Sequence, residues 1–156
     1  MCIFHVTSNT NSFKEFLEQH PELPVYQSHE KGDKPKIAAQ DSIHTDYGFS
    51  CEVSDRSWDD MEGQIVDMIS FLEVYTPYLV KLGQSHQIDD WRFDLPYECE
   101  LEETKFTQCN YLPPKLIRLA GALNIGIELS LYWPSNDNID DIDVEEEVSA
   151  NSNTDD

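Results

Sequence analysis

The stretch from Asp59 to Gly83 is the longest in the chain with a single clear period, and the rest of the fold has to accommodate it. Met61, Ile65, Met68, Ile69, Leu72, Tyr75, Leu79 and Leu82 recur at steps of three and four, which lines them along one face of a helix. Glu62, Asp67 and Glu73 fall on the other side, so one wall of the helix faces water and the other needs a core. Ser57, with Asp60 three residues on, reads as the N-cap: a hydroxyl accepts from a free N–H, and a carboxylate suits the positive helix end. Pro77 lacks an N–H and crowds the turn before it, which predicts two helical pieces meeting near Thr76.

An apolar helix wall of this length is matched by a sheet, and the other segments alternate as strands do. Cys2, Phe4 and Val6 alternate with Ile3, His5 and Thr7 in a first strand whose first set faces the core. Val25 to Glu30 forms a second. Gly48 to Ser54 forms a third, with Phe49, Cys51 and Val53 inward and Ser50, Glu52 and Ser54 outward. From Trp91 to Leu101 every second residue is apolar or Cys, interleaved with Arg92, Asp94, Pro96, Glu98 and Glu100. Pro96 cannot donate to a ladder, so an edge, a bulge or a break belongs there. Ile127, Leu129, Leu131 and Trp133 alternate with Glu128, Ser130 and Tyr132 in a last strand.

Two shorter helices complete the pattern. Ser12 and Glu15 make a capping box ahead of Phe13, Phe16 and Leu17, and Pro21 stops that helix near His20. Pro113 and Pro114 suit the first turn of the other, where Leu116, Ile117, Leu119, Ala120 and Leu123 form the apolar stripe and Asn124 or Gly126 ends it. Lys31 to Pro35 is a turn, and residues 36–47 show no period and read as loop. The expected architecture is α+β: a mostly antiparallel sheet with helices packed on one face, in a ferredoxin-like order extended by a C-terminal helix and strand. Residues 1–134 form one domain. Residues 135–156 are acidic and poor in apolar side chains, and are expected to be a disordered tail.

Charge narrows the function more than any motif does. The chain carries 31 acidic against 10 basic residues, a formal net charge of -21. Such a field repels nucleic-acid phosphates and anionic membranes and steers encounter with a basic protein. Cys2, Cys51, Cys99 and Cys109 form no CxxC pair and have no His at zinc-finger spacing. The first three fall on strand positions and read as buried and reduced. Cys109 alone lies in a loop, and an acidic chain without a nearby base does not activate a thiol. No Gly-rich loop opens a helix, so no phosphate cradle is present. Neither a metal nor a cofactor is expected. The N-terminus has no signal-peptide pattern and no segment is long enough to span a membrane, which makes a cytoplasmic location the expectation.

Candidate site residues come from the outward sheet face and from the start of the long helix. His5, Glu52, Arg92, Asp94, Glu128, Ser130 and Tyr132 share the outward face. As an enzyme, the chain would use His5, Glu52, Asp94 or Glu128 as acid, base or metal ligand, which requires at least three of them to converge on one point. As a binding module, it would present Trp58, Asp59 and Asp60 at the helix start together with Glu52, Asp94, Glu128 and Tyr132. Trp91 and Trp133 are expected in the core by their alternation.

The Lys31-Gly32-Asp33 turn, Gly48-Phe49 opening a strand, Trp58 before the long helix, the strand from Trp91 to Leu101 and the closing Glu128-Leu129-Ser130-Leu131-Tyr132 resemble a bacterial domain of unknown function over residues 1–134. In size, charge and fold class the chain is also similar to bacterial immunity proteins, a likeness that implies neutralisation of a cognate toxin and carries over no catalytic residue. The expected function is therefore a non-enzymatic, acidic protein-binding module, an immunity-type inhibitor of a basic toxin or nuclease. Two alternatives stay open: a hydrolase or metal-dependent enzyme on the outward face, and a DNA mimic whose acids lie in rows.

Overall fold

The inward-facing residues of the alternating segments meet under three helices. A computed structural model describes residues 1–35, 42–101 and 106–133. Its elements run β1 (Cys2–Ser8), α1 (Lys14–Gln19), β2 (Val25–His29), β3 (Tyr47–Ser54), α2 (Met61–Ser85), β4 (Asp90–Glu98), α3 (Pro114–Ala122) and β5 (Gly126–Tyr132). The five strands form one sheet in the order β2-β3-β1-β4-β5. All pairings are antiparallel except β4 with β5, which α3 connects as a parallel crossover. The first four strands thus have the ferredoxin-like order, and α3 with β5 widens the sheet on the β4 side. The expected acidic tail and part of the expected 36–47 loop lie outside the described residues.

Cys2, Phe4 and Val6 are fully buried at the sheet centre. Phe4 packs on Phe71 and Phe93, with ring centroids 5.6 and 5.0 Å away. All three helices contribute to this one core, through Phe16, through Met68 and Leu72, and through Leu116 and Ala120. Burial of a Phe or Leu of this kind contributes about 1.5–3 kcal/mol, so the centre of β1 and the middle of α2 hold most of the fold together.

The long helix departs from expectation in three ways. Its N-cap is Asp60, whose Oδ1 accepts from the Gly63 N–H at 2.9 Å, while the Ser57 hydroxyl donates to Asp59. It runs unbroken through Pro77. Pro77 and Glu73 both lie on the exposed wall, so the carbonyl deprived of its N–H is on the side that meets water. Thr76 Oγ1 donates to the Leu72 carbonyl at 2.5 Å in the same turn. The buried face is also wider than the predicted stripe, taking in Phe71, which packs on Phe4 and Phe93 of the sheet, and Gln64, whose amide reaches the Ser57 and Pro96 carbonyls.

Other corrections have local causes. The expected capping box of α1 does not close: the Ser12 hydroxyl accepts from the Lys14 N–H and donates to Glu30 Oε1 at 2.7 Å. In β3 the register with β1 passes from Ser54 to Glu52, so Val53 is bulged out and Ser54 turns inward, donating from a buried position to Asp67. β4 stops at Glu98, short of Leu101. Pro96 lies beyond the last β1 partner, Ile3 opposite Asp94, where only β5 runs alongside, so its missing N–H is harmless there. Asn124 adopts φ 56 and ends α3 as its left-handed cap, with the Ile125 N–H bonded to the Ala120 carbonyl at 3.0 Å. Leu129, Leu131 and Trp133, expected in the core, are 44%, 51% and 76% exposed. β5 is an edge strand, with a neighbour in the sheet on one side only.

Candidate functional site

Because the helices share one core, the opposite sheet face carries no helix among the described residues. Strand register arranges that face in transverse rows. Glu52, Ile3, Asp94 and Glu128 stand side by side on β3, β1, β4 and β5, and Ser50, His5, Arg92 and Gly126 form the next row. With strands about 4.8 Å apart, Asp94 and Glu128 are neighbours and Glu52 stands about 10 Å from Asp94 across Ile3.

Most of these groups are held by one another. Ser130 Oγ donates to Asp94 Oδ1 at 2.6 Å. Arg92 Nε donates to Glu128 Oε2 at 2.5 Å, and its Nη1 reaches Asp90. His5 Nδ1 shares a hydrogen bond with Ser50 Oγ at 3.0 Å. Burial holds the His5 pKa below its ordinary 6.5, and the Arg92 guanidinium adds to the effect against the pull of Asp94, Glu128 and Asp90. His5, Asp94 and Glu128 therefore occupy separate pairs and Glu52 stands apart from them across Ile3, so the four do not converge on one point as the enzyme reading required.

At the β5 edge the arrangement is different. Trp58 stacks on Tyr132 with ring centroids 4.4 Å apart and planes 26° apart, and both remain partly exposed. The Trp58 carbonyl accepts from the Glu98 N–H at 3.2 Å, which fixes this loop under the end of β4. Trp58 and Tyr132 thus come together beside Glu98, the β4 partner of Tyr132, whereas Asp94 and Glu128 pair four residues back along β4 and β5, roughly 13 Å away, and Glu52 stands at the far end of their row. Asp60 serves the chain itself: besides capping α2 it pairs with Arg56 at 2.8 Å, and that guanidinium, with the Gly63 N–H, holds its carboxyl below the usual range. Arg56 also reaches Asp67, whose carboxyl it lowers in the same way.

The cysteines are free, with Cys2, Cys51 and Cys99 buried and Cys109 exposed. Burial pushes the Cys2 and Cys51 thiols up to about 12. Cys109 shares its cleft with Asp59, Asp60, Glu62 and Glu100. Trp91 is partly buried and its Nε1 donates to the Asn124 carbonyl at 3.0 Å.

Sequence reasoning missed one constellation. His29, at the end of β2, has Nε2 3.1 Å from Asp46 Oδ1, and its ring stacks on that of His44. These are the three metal-ligating side chains that meet within 4.8 Å of one another among the described residues. The signal was present: His44, Asp46 and Gly48 are interleaved with Ile43, Tyr47 and Phe49 at period two into β3, and Gly48 pairs with His29, but Thr45 interrupts the apolar set and both His44 and Asp46 precede the strand itself. Comparison of the chain with family models, with curated proteins and with solved structures finds no match, so the reading of its site rests on this geometry.

Proposed function

We propose that this protein is a non-enzymatic binding module that takes a basic protein on its open sheet face, and that it acts as an immunity-type inhibitor of a toxin or nuclease. The observation that carries the reading is the Trp58–Tyr132 stack at the β5 edge of a sheet face that is clear of helices among the described residues and also carries Asp94 and Glu128. An exposed aromatic pair already fixed in place loses little freedom on binding, so it suits the centre of an interface. The net charge of -21 supplies the steering for a cationic partner.

Affinity capture at low salt from the source cell tests this. A basic protein should be retained by the wild-type chain, its association rate should fall as salt rises, and Trp58→Ala should weaken it by about 2 kcal/mol, the loss typical of an interface hot spot. Recovery of no basic protein, or capture indifferent to Trp58→Ala and Tyr132→Ala, overturns the binding face. Stoichiometric loss of the partner's own activity supports the inhibitor role, and a partner that stays fully active in the complex removes that role while leaving the face.

A further inference from the structure

We propose that His29, His44 and Asp46 form a binding site for one divalent transition metal ion of the zinc class, at the β2 edge of the open face. The site is independent of the aromatic pair, which lies at the β5 edge, on the other side of the sheet. Three observations carry it.

First, the donor set is right and is assembled by backbone structure. His29 lies in β2, opposite Gly48 of β3 in the ladder. His44 is held at both main-chain groups: its N–H donates to the Asp33 carbonyl and its carbonyl accepts from the Gly32 N–H, each at 2.8 Å. The turn that offers these partners is closed by Asp33 N–H to the Glu30 carbonyl at 3.0 Å and by the Glu30 N–H to Asp33 Oδ2 at 2.8 Å. Gly32 has φ 96, a conformation open to glycine, so this turn depends on the residue found there. A histidine in an apparently irregular stretch is therefore positioned as firmly as one in a strand.

Second, Gly48 is shaped to the His29 ring. A Cβ at position 48 would stand 2.4 Å from His29 Cε1 and 2.9 Å from Nε2. The imidazole lies directly on the Gly48 backbone, and any side chain there would displace it. Gly48 has no positive φ that would call for glycine by itself. Its place is explained by the ring.

Third, the donor atoms already stand at the separation a metal imposes. Ligands about 2.0–2.1 Å from a tetrahedral ion are roughly 3.3 Å from each other. The 3.1 Å between His29 Nε2 and Asp46 Oδ1 is close to that spacing, and the proton they share occupies the place an ion would take. The His29 and His44 rings, with centroids 3.7 Å apart and planes 16° apart, send their lone pairs nearly parallel, so one ring must rotate to bring the third donor onto the same point. All three residues are half-buried, which gives an ion access from solvent. Two imidazoles and one carboxylate suit zinc, nickel, cobalt or copper, and disfavour magnesium and calcium, which take oxygen ligands. Three protein ligands leave a coordination position open to water.

The experiment uses the full chain and must separate this site from adsorption on a strongly acidic surface. Metal-free protein is titrated with Zn²⁺ by calorimetry and with Co²⁺ by visible absorption. One ion per chain, Co²⁺ bands of a nitrogen-ligated site, proton release on binding and no displacement by excess Mg²⁺ are expected. His44→Ala leaves every carboxylate in place and should weaken Zn²⁺ by more than about 100-fold, beyond what loss of an outer partner of a ligand costs. Asp46→Asn should weaken it too, and Gly48→Ala should do so by moving His29. Thermal unfolding in a chelator checks that each variant folds, and His29→Gln replaces any that does not. Absence of a stoichiometric site, or Zn²⁺ binding unchanged by both His44→Ala and His29→Gln, overturns the proposal, since the metal would then sit on surface acids.

Discussion

Gln64 is fully buried, and its Nε2 donates to two main-chain carbonyls, that of Ser57 at 3.1 Å and that of Pro96 at 3.0 Å. The two bonds tie the β3–α2 connection to the part of β4 that β1 no longer reaches. Its Oε1 has no hydrogen-bond partner among the described residues. Gln64→Leu removes that orphan oxygen but strips both carbonyls, and an unpaired buried acceptor costs about 1–3 kcal/mol. The variant should be destabilised by roughly 2 kcal/mol, read as a lower urea midpoint with unchanged slope. His5 gives a prediction in pH. Its folded pKa lies below 6.5, so the unfolded chain takes up the proton first as the solution is acidified. Stability from this residue is therefore complete above pH 6.5 and is lost as pH falls through the folded value. His5→Gln should flatten the decline that the wild type shows just below pH 6.5. The depressed carboxyls of Asp60 and Asp67, whose ordinary value is 3.8, leave the acid end of the curve in place.

Pro77 interrupts α2 on its exposed wall without ending it, so the hydrogen bond it removes is missing and nothing in the core depends on its ring. Pro77→Ala should restore the bond to the Glu73 carbonyl and stabilise the protein by about 1–3 kcal/mol, seen as a higher melting temperature. A loss of stability would mean that Pro77 itself is needed to fit α2 over the twisted sheet. The elements themselves were legible because burial imposes period: Cys2, Phe4 and Val6, the α2 stripe, and the Leu116–Ala120 pair all declared their faces. Failures occurred where something other than periodicity decides. Ser54 turned inward because Val53 is bulged, which alternation cannot show. Leu129 and Leu131 alternate like core residues but lie on an edge strand, and edge position depends on sheet order rather than on local sequence. Phe71 is buried because it packs on Phe4 of β1 and Phe93 of β4, contacts between segments far apart in the chain. Of the site, Trp58 and Tyr132 were named separately from their types and positions, but their stacking required the loop to fold back under β4. His29, His44 and Asp46 were hidden because two of them precede β3, and their meeting with His29 depends on the pairing of β2 with β3, which local sequence does not show.

On the scale of the whole molecule, the sheet keeps its two candidate surfaces at opposite edges, with the aromatic pair at β5 and the histidine cluster at β2. A partner on one leaves the other reachable. What separates them is the middle of the sheet, where β1 pairs with β3 on one side and β4 on the other. Phe4 faces Cys51 in one ladder and Phe93 in the other, partners that are distant along the chain. No hairpin can start such a centre. Two long loops have to close before either ladder gains its bonds, and loop closure of this kind sets a slow search. The chain should refold in the millisecond-to-second range of non-local topologies, with β1 and its neighbours forming the nucleus. Val6→Ala is then expected to slow refolding in a stopped-flow urea series, while Leu116→Ala, in a helix that docks beside a finished sheet, should chiefly hasten unfolding. The reverse pattern would place α3 in the nucleus. The same centrality that sets β1 between two ladders makes its pairing the step that the rest of the chain must wait for.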